Sequence, residues 1–279
     1  MKKALALMLL LFAVPTLAAE PDQNEAKTYF ERGRADFKAG RLREAIGNFN
    51  KALVLNPGYA DAYNGLGDVY IATDQYEEAI SNYSKAIEIE PRRVTALNSR
   101  GFAYAEQGRF DRAMSDFNKA LEIDPKDFVA YTHRAQVYAV QGKYSQAISD
   151  YTKALEANPK FTLAYNNRGL IYLDMGEYDK AMADFNMALE LDPRFPFAYN
   201  NRGVAYASKG QYEQAVSDHT KAVDLEPRYA RAYVNRASAY YRLKQYDKAW
   251  DDVHKAQSLG QGIREEFLDE LRRASGRDR

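Results

Sequence analysis

Small and large apolar residues alternate along most of this chain with a constant period of 34 residues. Prolines mark this period at Pro57, Pro91, Pro125, Pro159, Pro193 and Pro227. Counting back 31 positions from each proline, and continuing past the last one to Gln261, gives seven repeats: 26-59, 60-93, 94-127, 128-161, 162-195, 196-229 and 230-261. A constant period of this length is typical of a stack of identical structural units.

Each repeat carries the pattern of two amphipathic helices, described here by place, counted from the first residue of the repeat. Places 20 and 27 are Ala in all seven repeats and place 8 is Gly or Ala, whereas place 4 is Tyr or Leu and place 11 is Tyr in six repeats. Large side chains facing small ones at helical spacing predict two antiparallel helices that pack on each other and on the next pair. Glycine at place 15 in five repeats predicts the end of the first helix, and the proline predicts the end of the second.

This pattern resembles the tetratricopeptide repeat throughout residues 26-261. The resemblance implies an all-α, right-handed α-α superhelix (solenoid) of seven tandem helix pairs, in which the first helices line a concave groove. Residues 262-274 place Ile263, Phe267, Leu268 and Leu271 on one face of a short helix, and we expect this helix to cap the last repeat, over Trp250. Residues 20-25 are expected to form a short lead-in and residues 275-279 a tail.

The first 19 residues differ in composition from the repeats. Lys2 and Lys3 precede an almost wholly apolar stretch, and small residues at 18 and 19 offer cleavage sites. This arrangement is typical of a secretory signal peptide over residues 1-19, cleaved after Ala18 or Ala19. We expect the mature chain to have no transmembrane span and to be exported, to the periplasm in a cell of Gram-negative type. The alternative is an uncleaved N-terminal anchor.

Composition argues against several classes of function. The chain has 39 Lys and Arg, 39 Asp and Glu, three His and no Cys. Equal charge gives no basic surface for a nucleic acid. The lack of Cys excludes disulfides, thiolate metal sites and thiol nucleophiles, and the three widely spaced histidines predict no metal site. No glycine-rich phosphate loop is present, so we expect no cofactor, no small-molecule substrate and no enzymatic activity.

Arginine and aspartate recur at matching places. Place 7 is Arg in six repeats, place 23 is Asp in the last five, and the one repeat with Leu66 at place 7 has neutral Asn82 at place 23. Because a guanidinium suits bidentate pairing with a carboxylate, we predict five structural pairs: Arg100–Asp116, Arg134–Asp150, Arg168–Asp184, Arg202–Asp218 and Arg236–Asp252. The competing interpretation is that these arginines face the groove and bind acidic ligands.

Asparagines recur on the first helices, at place 5 or place 6. A side-chain amide both donates and accepts, so it can bond a peptide backbone whatever the peptide sequence. The arrangement is similar to the asparagine ladder inside the repeat superhelix of O-GlcNAc transferases, although Glu31, Gly65 and Ser99 interrupt it here. The residues predicted to contact a peptide in the groove are Asn98, His133, Asn166, Asn167, Asn200, Asn201, Asn235, Arg231 and Arg242. The two arginines favour an acidic segment, and the alternative is that Asn is merely tolerated at these places.

These observations predict a non-enzymatic scaffold or adaptor that binds an extended peptide segment of a partner protein. Two alternatives stay open. The chain could act through its convex surface or by self-association in a cell-envelope complex, or it could be an accessory regulator of an envelope enzyme or secretion machine.

Overall fold

The computed structural model describes residues 23–276, which fall into two compact units. The N-terminal unit ends at Gln107 and the C-terminal unit begins at Gly108. The boundary separates the two helices of the predicted repeat 94-127. The predicted signal peptide, the start of the lead-in at residues 20–22 and the last three residues of the tail lie outside the described residues.

Helices make up both units, and no strand occurs among residues 23–276. The N-terminal unit contains α1 (Gln23–Lys38), α2 (Leu42–Leu55), α3 (Ala60–Ile71), α4 (Tyr76–Ile89) and α5 (Val94–Glu106). The C-terminal unit contains α6 (Phe110–Ile123), α7 (Phe128–Val140), α8 (Tyr144–Ala157), α9 (Thr162–Asp174), α10 (Tyr178–Leu191), α11 (Pro196–Ser208), α12 (Tyr212–Leu225), α13 (Ala230–Arg242), α14 (Tyr246–Ser258) and α15 (Glu265–Ser275). The predicted all-α class is confirmed.

Consecutive helices pack as antiparallel pairs within each unit. The closest packing is between the two helices of one repeat, such as α9 with α10, and each second helix also packs on the first helix of the next repeat. First helices of neighbouring repeats also touch, as α9 does with α11 and α11 with α13. Each unit is therefore a stack of helix pairs, with first helices side by side in one layer.

Small residues allow this close packing. The alanines at places 20 and 27 are fully buried in all seven repeats, for example Ala181 and Ala188. At place 8, a Cβ atom added to Gly169 would lie 2.7 Å from Cε1 of Phe185, closer than packed carbon atoms approach. Only glycine accommodates the Phe185 ring at that position, so the sequence sets the spacing of the two helices directly.

The turn inside each pair requires a left-handed residue at place 15. Gly40, Gly108, Gly142, Gly176 and Gly210 have φ between 71° and 77° there. Asp74 and Lys244 occupy the same place in two repeats, with φ of 57° and 59°. These two residues adopt a backbone conformation that costs L-amino acids with a Cβ atom free energy.

Helix α15 follows the last pair and covers its apolar surface. Leu268 and Leu271 are buried in one cluster with Trp250 and Val253 of α14. The indole Nε1 of Trp250 donates to Ser275 Oγ at 3.1 Å. The last helix pair is thus closed by the segment in which the sequence predicted a cap, with Trp250 beneath it.

Candidate functional site

Four of the predicted arginine–aspartate pairs lie within bidentate hydrogen-bonding distance. In each, Nε and Nη2 of the arginine donate to the two carboxylate oxygens at 2.7–2.9 Å; the pairs are Arg134–Asp150, Arg168–Asp184, Arg202–Asp218 and Arg236–Asp252. These aspartates are buried, at most 6% exposed. Donation to Asp184 raises the pKa of the Arg168 guanidinium. The fifth pair, Arg100 and Asp116, takes its members from different units and stays a prediction.

The remaining nitrogen of each of these four arginines reaches the second helix of the preceding repeat. Arg168 Nη1 donates to Thr152 Oγ1 at 2.9 Å, and Arg236 Nη1 donates to Thr220 Oγ1 at 3.0 Å. Asn118 and Asn186 accept the equivalent bonds from Arg134 and Arg202. One guanidinium therefore links three helices, and this geometry supports a role in the fold over a role in ligand binding.

Asparagines link neighbouring first helices in the C-terminal unit. Asn201 Nδ2 donates to Asn166 Oδ1 at 2.9 Å, and Asn235 Nδ2 donates to Asn200 Oδ1 at 2.9 Å. In both bonds, place 6 of one repeat donates to place 5 of the preceding repeat. Asn166 also donates to Asn167 at 3.1 Å. These five side chains form an asparagine ladder that joins α9, α11 and α13.

Burial distinguishes the two places of the asparagine ladder. The place 5 residues Asn166 and Asn200 are 5% and 2% exposed, and Asn98 in the N-terminal unit is 6% exposed, whereas Asn201 and Asn235 are half-buried. Each amide nitrogen carries two hydrogens, and the ladder bond uses one. Asn201 and Asn235 therefore retain a donor for a ligand, while the buried place 5 residues have little surface to offer.

A cavity of about 580 Å³ opens beside Asn201 and Asn235, and we call it the groove. Helices α9, α11 and α13 form its floor, and the segment around α15 forms one side wall. Its lining residues are Leu170, Leu173, Asn200, Asn201, Val204, Arg231, Val234, Asn235, Ser238, Gln261, Gly262, Ile263, Arg264 and Phe267. The lining thus combines apolar side chains, side-chain amides and two cations.

The charge on the groove lining is positive. Arg231 and Arg264 are exposed, and neither forms an ion pair with a carboxylate of residues 23–276. The lining contains no aspartate or glutamate. A ligand with acidic side chains would therefore find two unpaired guanidinium groups and no repelling carboxylate.

The side wall of the groove was not foreseen as part of a site. The sequence identified residues 262-274 only as a cap, yet Ile263, Arg264 and Phe267 also face the groove. The Phe267 ring packs edge-on against Tyr241 of α13, with 5.7 Å between ring centroids. The sequence did contain a signal for this wall, namely the apolar face with Ile263 and Phe267. A helix that caps the last repeat must lie against the first helix of that repeat, α13.

Two other predicted site residues do not line the groove itself. His133 stacks on Phe117, with 5.7 Å between ring centroids, and its Nδ1 lies 3.0 Å from Gln136 Oε1. Arg242 lies over the ring of Tyr212, at 4.7 Å from its centroid, and lines a second cavity. The structure therefore brings Asn200, Asn201, Asn235 and Arg231 together in the groove and places Arg242 in an adjoining cavity that Asn235 also lines, whereas His133 lines neither.

The N-terminal unit has its own cavity of about 440 Å³, bordered by Asp68 of α3. The Asp68 carboxylate accepts from Tyr83 Oη at 2.8 Å and from Asn64 Nδ2 at 3.2 Å, and burial raises its pKa. Three of the rim charges are paired, because Arg34 bonds Glu31 and Arg93 bonds Asp61. Pattern reasoning missed Asp68, which stands alone at its place in the repeat.

The described residues show neither a membrane span nor a metal centre. Among residues 23–276, no helix is long and apolar enough to cross a membrane. In the same range, no three His, Asp or Glu side chains gather as metal ligands.

Family models match the chain over most of its described length. Two models described as Tetratricopeptide repeat match residues 94–127, 128–161, 162–195, 196–229 and 230–259, and one described as TPR repeat matches residues 33–74 and 67–108. The chain belongs to the tetratricopeptide-repeat family. Proteins of this family generally mediate protein–protein interactions, and the repeat is typically a non-enzymatic scaffold. No curated protein sequence gives a significant match.

Solved structures of tetratricopeptide-repeat proteins have the same fold. One from Parabacteroides merdae ATCC 43184 is 24% identical, with a TM-score of 0.66 over 90% of this chain and 99% of that chain. YrrB, described as a TPR protein with an unusual peptide-binding site, is 27% identical, with a TM-score of 0.50 over 66% of this chain and 95% of that chain. Pseudomonas aeruginosa pilF is 21% identical, with a TM-score of 0.65 over 74% and 94%.

Proposed function

We propose that this tetratricopeptide-repeat protein is a non-enzymatic adaptor that binds an extended, acidic peptide segment of a partner protein in the groove of its C-terminal unit. The observation that carries this proposal is the groove lining, in which Asn201 and Asn235 stand next to the unpaired cations Arg231 and Arg264. A peptide-binding site is also named in the description of the similar protein YrrB.

Amides at regular spacing suit a peptide in extended conformation. Asn201 and Asn235 occupy the same place in consecutive repeats, so a ligand lying across α11 and α13 meets the same donor twice. These donors would bond peptide carbonyl groups, which every residue supplies. Apolar contacts to Leu170, Val204 and Val234 would add affinity without strict sequence selection.

Charge gives the groove its preference among peptides. Arg231 lies on the floor of the groove, in α13, and Arg264 lies on its side wall, in the segment before α15. A guanidinium binds a carboxylate through two parallel hydrogen bonds, so each arginine can hold one acidic side chain. An acidic segment also approaches a cationic groove faster than a neutral one at low salt.

A rigid floor keeps the cost of binding low. The asparagine ladder and the arginine–aspartate pairs connect the helices that carry the groove residues. Groups that are already ordered lose little conformational entropy when a ligand binds.

Fluorescence anisotropy with labelled ten-residue peptides tests the proposal. The probes are matched sets of acidic, neutral and basic peptides without helical pattern. We expect the acidic set to bind best, and Arg231→Ala with Arg264→Ala to weaken it at least tenfold. Arg273→Ala is the matched control, because Arg273 is exposed on α15 but does not line the groove. Equal binding of all three peptide sets, or equal loss with the control, would contradict the proposal.

We propose further that the chain is exported and that the signal peptide is removed. Support comes from the sequence of residues 1-19, with its two lysines, its apolar stretch and its small residues at the cleavage site. Expression in a Gram-negative host followed by cell fractionation and N-terminal sequencing tests this. A mature start at Ala19 or Glu20 in the periplasmic fraction supports export, and an intact N-terminus in the cytoplasm refutes it.

A further inference from the structure

One repeat has a histidine where five others have a large aromatic ring. Place 24 is Phe49, Tyr83, Phe117, Tyr151 and Phe185 in the first five repeats, His219 in the sixth and Val253 in the seventh. His219 is 1% exposed. Its Cε1 would lie 2.7 Å from a Cβ atom on Gly203, so the imidazole occupies the position that a phenyl ring such as Phe185 has in other repeats.

Rings at place 24 extend towards place 6 of the following repeat. The Phe49 Cζ atom would lie 2.6 Å from a Cβ atom on Gly65, and the Asn167 side chain partly offsets the rise that burial causes in the pKa of the Tyr151 hydroxyl. The corresponding neighbour of His219 is Asn235. Since an imidazole is shorter than a phenol, it leaves unfilled space between its edge and the Asn235 amide.

A cavity of about 260 Å³ lies at this point, and we call it the His219 pocket. Its walls come from α11, α12 and α13: Val204, Ala207, Ser208, Tyr212, His219, Asn235, Ser238, Ala239 and Arg242. Val204, Asn235 and Ser238 also line the groove. The pocket is thus a side chamber of the groove, large enough for one amino-acid side chain.

Unused hydrogen-bonding capacity lines the His219 pocket. Nδ1 of His219 is buried and has no hydrogen-bond partner among residues 23–276. Burial and, to a smaller extent, the nearby charge of Arg236 lower the pKa of His219 to about 3, so the ring is neutral at physiological pH. A buried polar atom without a partner is rare in native proteins.

Donors dominate the rest of the lining. Arg242 and Asn235 supply N–H groups and Ser208 supplies a hydroxyl, whereas the lining contains no aspartate or glutamate. Arg242 forms no ion pair with any carboxylate of residues 23–276 and lies over Tyr212 at the edge of the pocket. Val204, Ala207 and Ala239 provide apolar contacts for methylene groups.

We infer that the His219 pocket binds one glutamate side chain of the peptide held in the groove, and this inference rests on the proposed function. The carboxylate accepts hydrogen bonds from Arg242 and from the Ser208 hydroxyl, and the methylene groups pack on Val204 and Ala239. The buried ring of His219 lines the inner part of the pocket. Charge complementarity with Arg242 selects glutamate over its neutral isostere glutamine.

The probe is a single blocked residue, so the test does not need the partner. N-acetyl-glutamate-methylamide and N-acetyl-glutamine-methylamide are titrated into the complete protein, and nitrogen-15 NMR follows Arg242 Nε and the His219 ring. We expect saturable shifts of both groups with the glutamate probe and at least tenfold weaker binding of the glutamine probe. His219→Phe, which restores the ring of other repeats, should keep the fold and abolish the shift of Arg242 Nε.

Two results would overturn the inference: equal binding of the two probes, or undiminished binding of the glutamate probe to a folded His219→Phe variant. The variant Arg231→Ala with Arg264→Ala separates this inference from the proposed function, because neither arginine lines the His219 pocket. If no extended peptide binds but the glutamate probe still does, the proposed peptide-binding groove is refuted and the pocket is not. If the glutamate probe does not bind, the inference about the His219 pocket is refuted.

Discussion

Asn201 of one repeat donates a 2.9 Å hydrogen bond to Asn166 of the repeat before it, across the gap between α11 and α9. Asn235 makes the same bond to Asn200, one repeat further along. The acceptors are buried and the donors are half-buried beside the groove. These asparagines therefore join neighbouring repeats with one hydrogen and offer the other to a ligand.

Replacing Asn201 with Ala should cost both stability and peptide affinity. The change leaves the buried Asn166 oxygen without this donor, which costs about 1–2 kcal/mol of unfolding free energy. The double variant Asn166→Ala with Asn201→Ala should lose less than the sum of the two single losses, because only one bond is broken. Urea denaturation measures these differences. Strict additivity would show that the bond contributes nothing.

Replacing Asp184 with Asn should destabilise the protein strongly. Asp184 is buried, and its loss of charge leaves the guanidinium of Arg168 uncompensated between two helices. Breaking a buried ion pair by changing one partner costs about 3 kcal/mol or more. The matched control is Asp179→Asn on the same helix, where an exposed pair with Lys209 should contribute less than about 1 kcal/mol.

Denaturation midpoints and peptide affinity distinguish the two interpretations of these arginines. A large fall in the midpoint with unchanged affinity of the folded protein supports the structural pair. An unchanged midpoint with weakened peptide binding would favour arginines that serve the ligand.

The helices could be predicted from the sequence because many residues in each repeat follow the same 34-residue period. The helix pairs among residues 23–276 follow from alanines, tyrosines and turn glycines that repeat at fixed places. The spacing of 16 residues between Arg168 and Asp184 likewise follows from the length of one helix pair. Both features depend on contacts within a repeat, which periodicity describes well.

Features that depend on neighbouring repeats were harder to predict. The burial of Asn166 and Asn200 arises from close contact between first helices, which a pattern along one helix does not specify. The side wall formed by Arg264 and Phe267 lies after the last repeat, where the period no longer applies. The His219 pocket requires a short ring on one helix and small residues on two others.

The buried imidazole of His219 should make stability depend on pH. Its pKa is about 3 in the folded protein against about 6.5 when unfolded. The unfolded state therefore binds the proton first, so the stabilising effect of a neutral ring is complete above pH 6.5 and is lost as pH falls towards 3. Linkage gives about 1.4 kcal/mol per pH unit, or about 2 kcal/mol between pH 6.5 and 5.

The comparison with His219→Phe isolates this effect from the titration of carboxylates. Urea midpoints of parent and variant, measured from pH 7 to pH 4.5, should diverge as pH falls, with the variant more stable at the acid end. Parallel curves would show that His219 is protonated in the folded state.

Replacing Lys244 with Gly should stabilise the last repeat. Lys244 has φ of 59° at the turn between α13 and α14, where five other repeats have glycine. The left-handed conformation costs a residue with a Cβ atom about 1 kcal/mol relative to glycine, so the substitution should raise the unfolding free energy by about that amount. Lys221→Gly is the control: Lys221 is exposed inside α12, where glycine should lower stability by about 1 kcal/mol. Thermal unfolding of the two variants should therefore shift in opposite directions, and a loss of stability in both would show that the Lys244 side chain contributes more than its backbone strain costs.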